Sequence, residues 1–291
     1  YLARLEPFWV VQMIIHFSCG ATSAIAGAIA LKQDPDAEIV YADPMGEHPS
    51  NMTFLRECEE KLFHKKVTIL KHPDYSSLQD FLVKKKCLAF IGGAPCTTKL
   101  KKEVIRDYLG ERLLTNLHVY GYDTGELPRI QTYRDNNPEI MLDLPLIEHG
   151  LSKANCLALL QRFDIELPMM YQLGYEHSNC MGCVKAANLS YWAAIREDFP
   201  DTFDFFAKHE RNIGKLDENG NPKGATINKR YIKGVRTRLF LDELPMDIKP
   251  KRDLEISCGY SCGNIGDMIE GREAPVKELN EIDTLFDWMT K

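Results

Sequence analysis

Short apolar runs alternate with amphipathic stretches through the first 150 residues of the chain. Residues 10–17 (VVQMIIHF) predict a buried first strand, and the alanine-rich residues 23–32 predict a helix directly behind it. Residues 38–43 (EIVYAD) predict a second strand. Residues 51–63 place Phe54, Leu55, Cys58 and Leu62 at the spacing of one helix face. A strand over 67–70, a helix over 78–85, a short strand over 88–91, a helix over 98–109 and a strand over 117–122 continue the alternation. Strands and helices of these lengths in turn imply βαβ units and a mostly parallel, doubly wound sheet. Such sheets bind ligands beyond the carboxyl ends of their strands.

Beyond residue 150 the pattern turns helical. Ser152 is placed to N-cap a helix that ends before Pro168, and further helices read over 189–198, 202–213 and, in the acidic tail, 276–289. Residues 215–226 (KLDENGNPKGAT) are polar and rich in turn formers, and predict an exposed loop or hairpin tip. The fold class expected is therefore α/β with a helical C-terminal extension, in two parts: 1–150, a nucleotide-binding α/β domain, and 151–291, a cysteine-containing region packed on it.

Composition narrows the class. The 291 residues are 44% hydrophobic and 27% charged, with a net charge of -6, which suits a soluble globular protein and excludes a disordered chain or a collagen. The longest apolar run, 8–17, is half the length of a membrane span. No basic stretch precedes it and no small-residue cleavage pattern follows, so a cytoplasmic protein without a membrane partner is expected. The nine cysteines then read as free thiols or metal thiolates in a reducing compartment.

Two segments carry chemistry. The turn Ser18-Cys19-Gly20-Ala21-Thr22-Ser23 links the first strand to its helix. Small residues there let phosphate oxygens reach the backbone, and the helix N-terminus favours an anion, with Ser18, Thr22 and Ser23 adding hydroxyl donors. Tight helix-on-sheet packing asks for the same residues. Neither G-x-G-x-x-G nor a Walker lysine is present. Cys19 in this turn is expected to have a lowered pKa. The second segment is Cys180-x-x-Cys183, whose spacing on a glycine-containing turn suits a soft metal or a cluster edge, half a zinc knuckle, or a redox pair. Cys58, Cys87 and Cys156 read as small buried apolar residues. His16, His48 and His149 read as structural.

The first turn resembles the PP-loop, S-G-G-x-D-S, of the adenine-nucleotide α-hydrolase (PP-loop ATP pyrophosphatase) superfamily: Ser18, Gly20 and Ser23 match, Cys19 replaces a glycine and Thr22 the aspartate. Tyr41-Ala42-Asp43 with Glu47-His48-Pro49, Pro95-Cys96 through Leu100-Lys101, and the N-C-x-G-C-V-K segment 179–185 are similar to segments of phosphoadenylyl-sulfate (PAPS) reductase-like proteins, in a phage and bacterial branch. The resemblance covers roughly residues 10–213 and part of the tail. It implies a PP-loop type fold, an adenine nucleotide (ATP or PAPS) cradled by residues 18–23, and Asp43 near the ribose or adenine. It also implies a [4Fe–4S] cluster, with zinc the alternative, on Cys96, Cys180, Cys183 and one of Cys258 or Cys262. The reductase reading makes Cys258 or Cys262 the nucleophile and requires an electron donor. Around them only Cys-Gly of the family's Glu-Cys-Gly-(Leu/Ile)-His motif is present. The alternatives are an ATP pyrophosphatase that activates a nucleic acid for thiolation, and a nucleotide-binding protein without turnover, which the Thr22 replacement favours.

One feature lies outside the resemblance. Lys229, Arg230, Lys233, Arg236 and Arg238 form a basic run in an acidic protein. It reads as a solvated face, or as a recognition element for a phosphate, a sulfate or a nucleic-acid backbone. The oligomeric state leaves no signature in the sequence.

Overall fold

The apolar segment 10–17 supplies the central strand of the molecule. In the computed structural model, which describes residues 11–89, 93–232, 235–254, 256 and 279–291, β1 (Met13–His16) is buried along its whole length. β2 (Glu38–Ala42) and β4 (Leu117–Val119) flank it, β3 (Thr68–Leu70) lies outside β2, and β5 (Met141–Asp143) lies outside β4. All four pairings are parallel, in the order β3-β2-β1-β4-β5. The expected α/β class with a mostly parallel sheet is what the chain adopts.

Crossover helices cover both faces, which is why β1 is apolar throughout rather than alternating. α1 (Ala21–Gln33) lies behind β1 and is buried from Ser23 to Ala30. Its alanines let it approach the sheet closely. A Cβ at Gly27 would stand 3.1 Å from Ile15 and 3.2 Å from the Phe63 ring. α2 (Ser50–Glu57) runs on into a π-helical stretch (Cys58–Phe63), and α3 (Leu78–Lys85) follows β3. Of the strand expected over 88–91, Leu88 and Ala89 are not in a strand, and the rest lies outside the described residues. The span 98–109 is helical as expected, as a π-helical segment (Thr98–Glu103) and α5 (Val104–Leu109), with the short α4 (Pro95–Thr97) running into it. The short α6 (Arg112–Thr115), α7 (Leu127–Asn136), α8 (Pro145–Glu148) and strand β5 carry no clear periodicity and were not expected.

Ser152 caps α9 (Lys153–Arg162) as expected: it accepts from the Asn155 N–H, and its own N–H donates to Asn155 Oδ1 at 3.0 Å. Leu151, Cys156, Leu159, Leu160 and Ile165 share one core with Ala24, Ile25 and Ile29 of α1. A second core gathers α3, α10 (Met169–Gln172), α11 (Leu189–Asp198) and α12 (Pro200–Arg211) around the fully buried Trp192. An antiparallel hairpin, β6 (Asn228–Ile232) and β7 (Val235–Leu239), follows, and α13 (Leu279–Thr290) packs on α1 and α9. Among the described residues no helix is long and apolar enough to cross a membrane.

Candidate functional site

In this strand order the connections from β1 and from β4 leave in opposite directions, so a crevice opens between their carboxyl ends. The turn 18–23 forms one wall. Cys19 adopts a left-handed conformation (φ 54°), which reverses the chain into α1. Ser23 locks the turn from beneath: its hydroxyl accepts the Ser18 N–H at 3.1 Å and donates to the Gly20 carbonyl at 3.0 Å. The residues alternate in exposure. Cys19, Ala21 and Ser23 are buried, Gly20 and Thr22 half-buried, and Ser18 exposed. Ser18 and Thr22 are thus the turn's more exposed hydroxyls; in this structure the Ser18 hydroxyl donates to Ser23 Oγ at 3.0 Å, and Ser23 spends its own proton on the Gly20 carbonyl.

Gly121, just past β4, lies directly against this turn. A Cβ there would lie 2.6 Å from both the Cα and the N of Ser23, so only glycine permits this approach. The Tyr171 hydroxyl reaches the same place from α10, accepting the Ala21 N–H at 3.4 Å. Burial pushes its pKa up to about 12. A neutral oxygen therefore stands at the start of α1, where the helix N-terminus favours an anion.

Cys19 departs from expectation. Burial, with the charge of Glu47 adding to it, pushes its thiol well above the usual range. The helix N-terminus does not compensate, because the side chain points into the core rather than along the axis to solvent. It is a packing residue, as are Cys58, Cys87 and Cys156, all buried.

Asp43 stands at the end of β2, with both oxygens engaged. One accepts the Met45 N–H at 2.7 Å, and the other pairs with Lys71 at 3.0 Å. The first contact holds the strand-end turn, where Met45 is left-handed (φ 57°). The second places a cation, 56% exposed in its side chain, at the rim.

A buried polar network connects these parts, and no spacing in the sequence announces it. The Glu47 carboxylate accepts from the Tyr41 hydroxyl (2.7 Å), from Asn51 Nδ2 (2.8 Å) and from Lys101 Nζ (3.1 Å). Asn51 Oδ1 in turn accepts from the Ser178 hydroxyl at 2.8 Å. Tyr41 is held well above the ordinary phenol range by burial and by Glu47. Hydrogen bonds thus run from Lys101 through Glu47 and Asn51 to Ser178.

Glu47 further pairs in an isolated antiparallel bridge with Cys180, and the Met181 N–H donates to the Gly46 carbonyl at 3.0 Å. This pins the Cys180–Cys183 turn to the β2 side of the sheet. Gly182 is left-handed (φ 72°), and a Cβ there would stand 2.6 Å from the Phe206 ring. The Cys183 N–H donates to the Tyr191 hydroxyl at 2.8 Å. Cys180 and Cys183 are buried, and the half-buried Cys96 packs against the same apolar cluster. Soft thiols in an apolar setting suit iron–sulfur or zinc chemistry. Among the described residues, however, no three His, Cys, Asp or Glu side chains are gathered to hold a metal ion. Cys258 and Cys262 lie outside the described residues.

Of the basic run, Lys229 and Arg230 lie on β6, Arg236 and Arg238 on β7, and Lys233 falls outside the described residues. His16 and His48 are engaged internally. His16 Nε2 and His118 Nδ1 are 2.8 Å apart, and His48 Nδ1 is 2.8 Å from the Ser50 hydroxyl.

No protein-family profile matches the sequence, and no curated protein matches it. Among solved structures the chain is similar to a phosphoadenylyl-sulfate (PAPS) reductase from Candida auris in a phosphate complex. That similarity is 13% in identity, covers 56% of this chain and 78% of that one, and has a TM-score of 0.42.

Proposed function

We propose that this chain is an adenine-nucleotide-dependent enzyme of sulfur chemistry, holding the nucleotide phosphates on residues 18–23. One observation carries the reading. The turn that resembles a PP-loop stands at the switch point of the sheet, with Ser18 and Thr22 facing outward at the N-terminus of the longest crossover helix. In this reading the Ser18 and Thr22 hydroxyls donate to phosphate oxygens, and the first-turn N–H groups of α1 supply the remaining donors. The arriving anion takes the place of the Tyr171 hydroxyl on Ala21. Asp43 turns to the ribose hydroxyls, and Lys71 stays at the rim as a counter-charge.

The same proposal assigns Cys96, Cys180 and Cys183, completed by Cys258 or Cys262, to a [4Fe–4S] cluster, with zinc as the alternative. Bound there, a cluster would supply one-electron chemistry. Lys101 and Glu47 fix the chain segments that carry Cys96 and Cys180 relative to each other.

Incubation with radiolabelled PAPS together with a dithiol reductant as the two-electron donor and, separately, with ATP tests the reading. Sulfite from PAPS supports it. Pyrophosphate from ATP redirects it to adenylation ahead of sulfur insertion, and binding without product leaves a nucleotide-binding protein without turnover. Failure to bind either nucleotide overturns it. Iron and sulfide assays on protein purified without oxygen test the cluster independently, and Cys183→Ser abolishes turnover if the metal centre takes part.

A further inference from the structure

An α-helix leaves its first N–H groups without partners inside the helix. At the start of α1 one of them, on Ala21, is taken by a side chain 150 residues away, the Tyr171 hydroxyl. The bond is weak. At 3.4 Å it lies beyond the usual N–H···O range, and a neutral phenol is a poorer acceptor than a phosphate oxygen, whose charge-assisted bonds are about twice as strong. Burial keeps the phenol neutral, with a pKa of about 12.

The place it occupies is small and polar. A Cβ built on Gly20 would lie 3.4 Å from the Tyr171 hydroxyl and 3.5 Å from the Ser18 hydroxyl. Among the described residues no other atom beyond the glycine's chain neighbours comes within 4 Å of that point. Two hydroxyls therefore flank one position over the turn. The Tyr171 oxygen is engaged by Ala21, while its proton has no acceptor among the described residues. Leaving this position breaks one long hydrogen bond and no other.

The segment that carries Tyr171 is hinged. α10 is a single helical turn, preceded by Pro168 and followed by Gly174, which is left-handed (φ 91°). A Cβ at Gly174 would meet nothing within 4 Å, so this glycine serves the bend of the backbone and not a close contact. Lys153 of α9 steadies the ring: its ammonium stands 5.5 Å from the ring centroid while pairing with Glu176 Oε1 at 2.6 Å. That ammonium comes from a separate helix, so a cation stays near the turn when the hydroxyl departs.

We infer that Tyr171 plugs the anion seat of its own protein: its hydroxyl holds the Ala21 N–H until a phosphate group of the ligand displaces it and α10 swings aside. The inference rests on the nucleotide reading above, and adds that affinity is set by a competition inside the chain. One N–H serves one acceptor here, so phenol and phosphate exclude each other. A ligand that binds only the unplugged form has its apparent affinity reduced by the fraction of chains in that form. Deleting the hydroxyl therefore tightens binding, whereas deleting a group that holds phosphate weakens it.

Isothermal calorimetry of the full chain with ATP and, separately, with PAPS tests the inference on wild type and Tyr171→Phe, which keeps the ring. The variant binds at least one of the two nucleotides about 3- to 10-fold more tightly, the range expected for one hydrogen bond that no longer has to be broken. Tyr175→Phe, whose hydroxyl donates to Asp198 at 2.8 Å, leaves affinity within about two-fold. Should Tyr171→Phe fail to fold, hydrogen exchange of the wild type is read instead. Saturating nucleotide then speeds exchange of the Leu173 and Tyr175 amides, which close α10 on the Met169 and Met170 carbonyls. Binding by the variant alone supports the inference. It is overturned, with the nucleotide reading left standing, by a variant that binds no more tightly than the wild type, by an equal gain in Tyr175→Phe, or, in the exchange experiment, by α10 amides that nucleotide leaves unchanged or protects. Binding of neither nucleotide by either protein overturns both.

Discussion

The Lys101 ammonium meets the Glu47 carboxylate at 3.1 Å, with the two side chains only 17% and 4% exposed. This contact joins the segment after Cys96 to the turn between β2 and α2, and Glu47 is in turn bridged to Cys180. A buried pair of this kind adds little over an apolar replacement, but removing one partner strands the other. Lys101→Met should therefore destabilise the protein by about 3 kcal/mol in urea unfolding, whereas Glu47→Gln/Lys101→Met together cost less than the two single changes summed. Strict additivity would show that the pair does not couple the two segments.

The approach of Gly121 to α1 sets a second test. Gly121→Ala places a methyl 2.6 Å from the backbone of Ser23, which no side-chain rotation relieves. The expected cost is about 2 kcal/mol, together with loss of nucleotide binding, read by thermal melting and isothermal calorimetry. Gly27→Ala, where the contacts are side chains at 3.1 and 3.2 Å, should be milder and leave binding intact.

Acid should loosen the sheet before it titrates most carboxylates. Burial, and the nearby His118, hold His16 well below its ordinary value of 6.5, and burial lowers His118 as well. A histidine with a lowered folded pKa contributes its full stability above the unfolded value, and loses it as pH falls from there toward the folded pKa. Melting temperature should drop as pH falls below about 6.5, and His16→Phe, stacked in the same place on Tyr120, should flatten that drop. An unchanged slope in the variant would assign the loss to other groups.

Glu210 has the opposite sign. Burial pushes its carboxyl up to about 7, so the stability it contributes when protonated is lost as pH rises from about 4.5 through that value. Glu210→Gln presents an amide NH2 to one of two backbone donors. The unmatched donor should cost about 1–3 kcal/mol and accelerate hydrogen exchange at Ile227 or Leu241.

Much of the fold could be read from local pattern. The strands at 13–16 and 38–42 are apolar on both faces, the helix at 78–85 has its N-cap in Ser77, and Ser152 announces its helix with a capping box. What escaped was short, exposed or interrupted. β5 is three residues at the sheet edge with Met141 39% exposed, and the π-helical stretches after α2 and α4 shift the phase of otherwise helical patterns. The turn at 18–23 was legible because consecutive residues build it. Its surroundings were not, because Tyr171, Gly121 and the Glu47–Lys101 pair arrive from separate crossovers, and only the strand order brings them to one crevice.

The core over α1 does not end where the last strand does. Leu151, Cys156, Leu159, Leu160 and Ile165 complete it from α9 and its flanks. A fragment cut after Gly150 would keep every strand of the large sheet and every residue of the first turn, yet leave one side of its central helix bare. Such a half-molecule should precipitate or cling to chaperones when expressed alone, and should dissolve again only when the missing helix is supplied in trans.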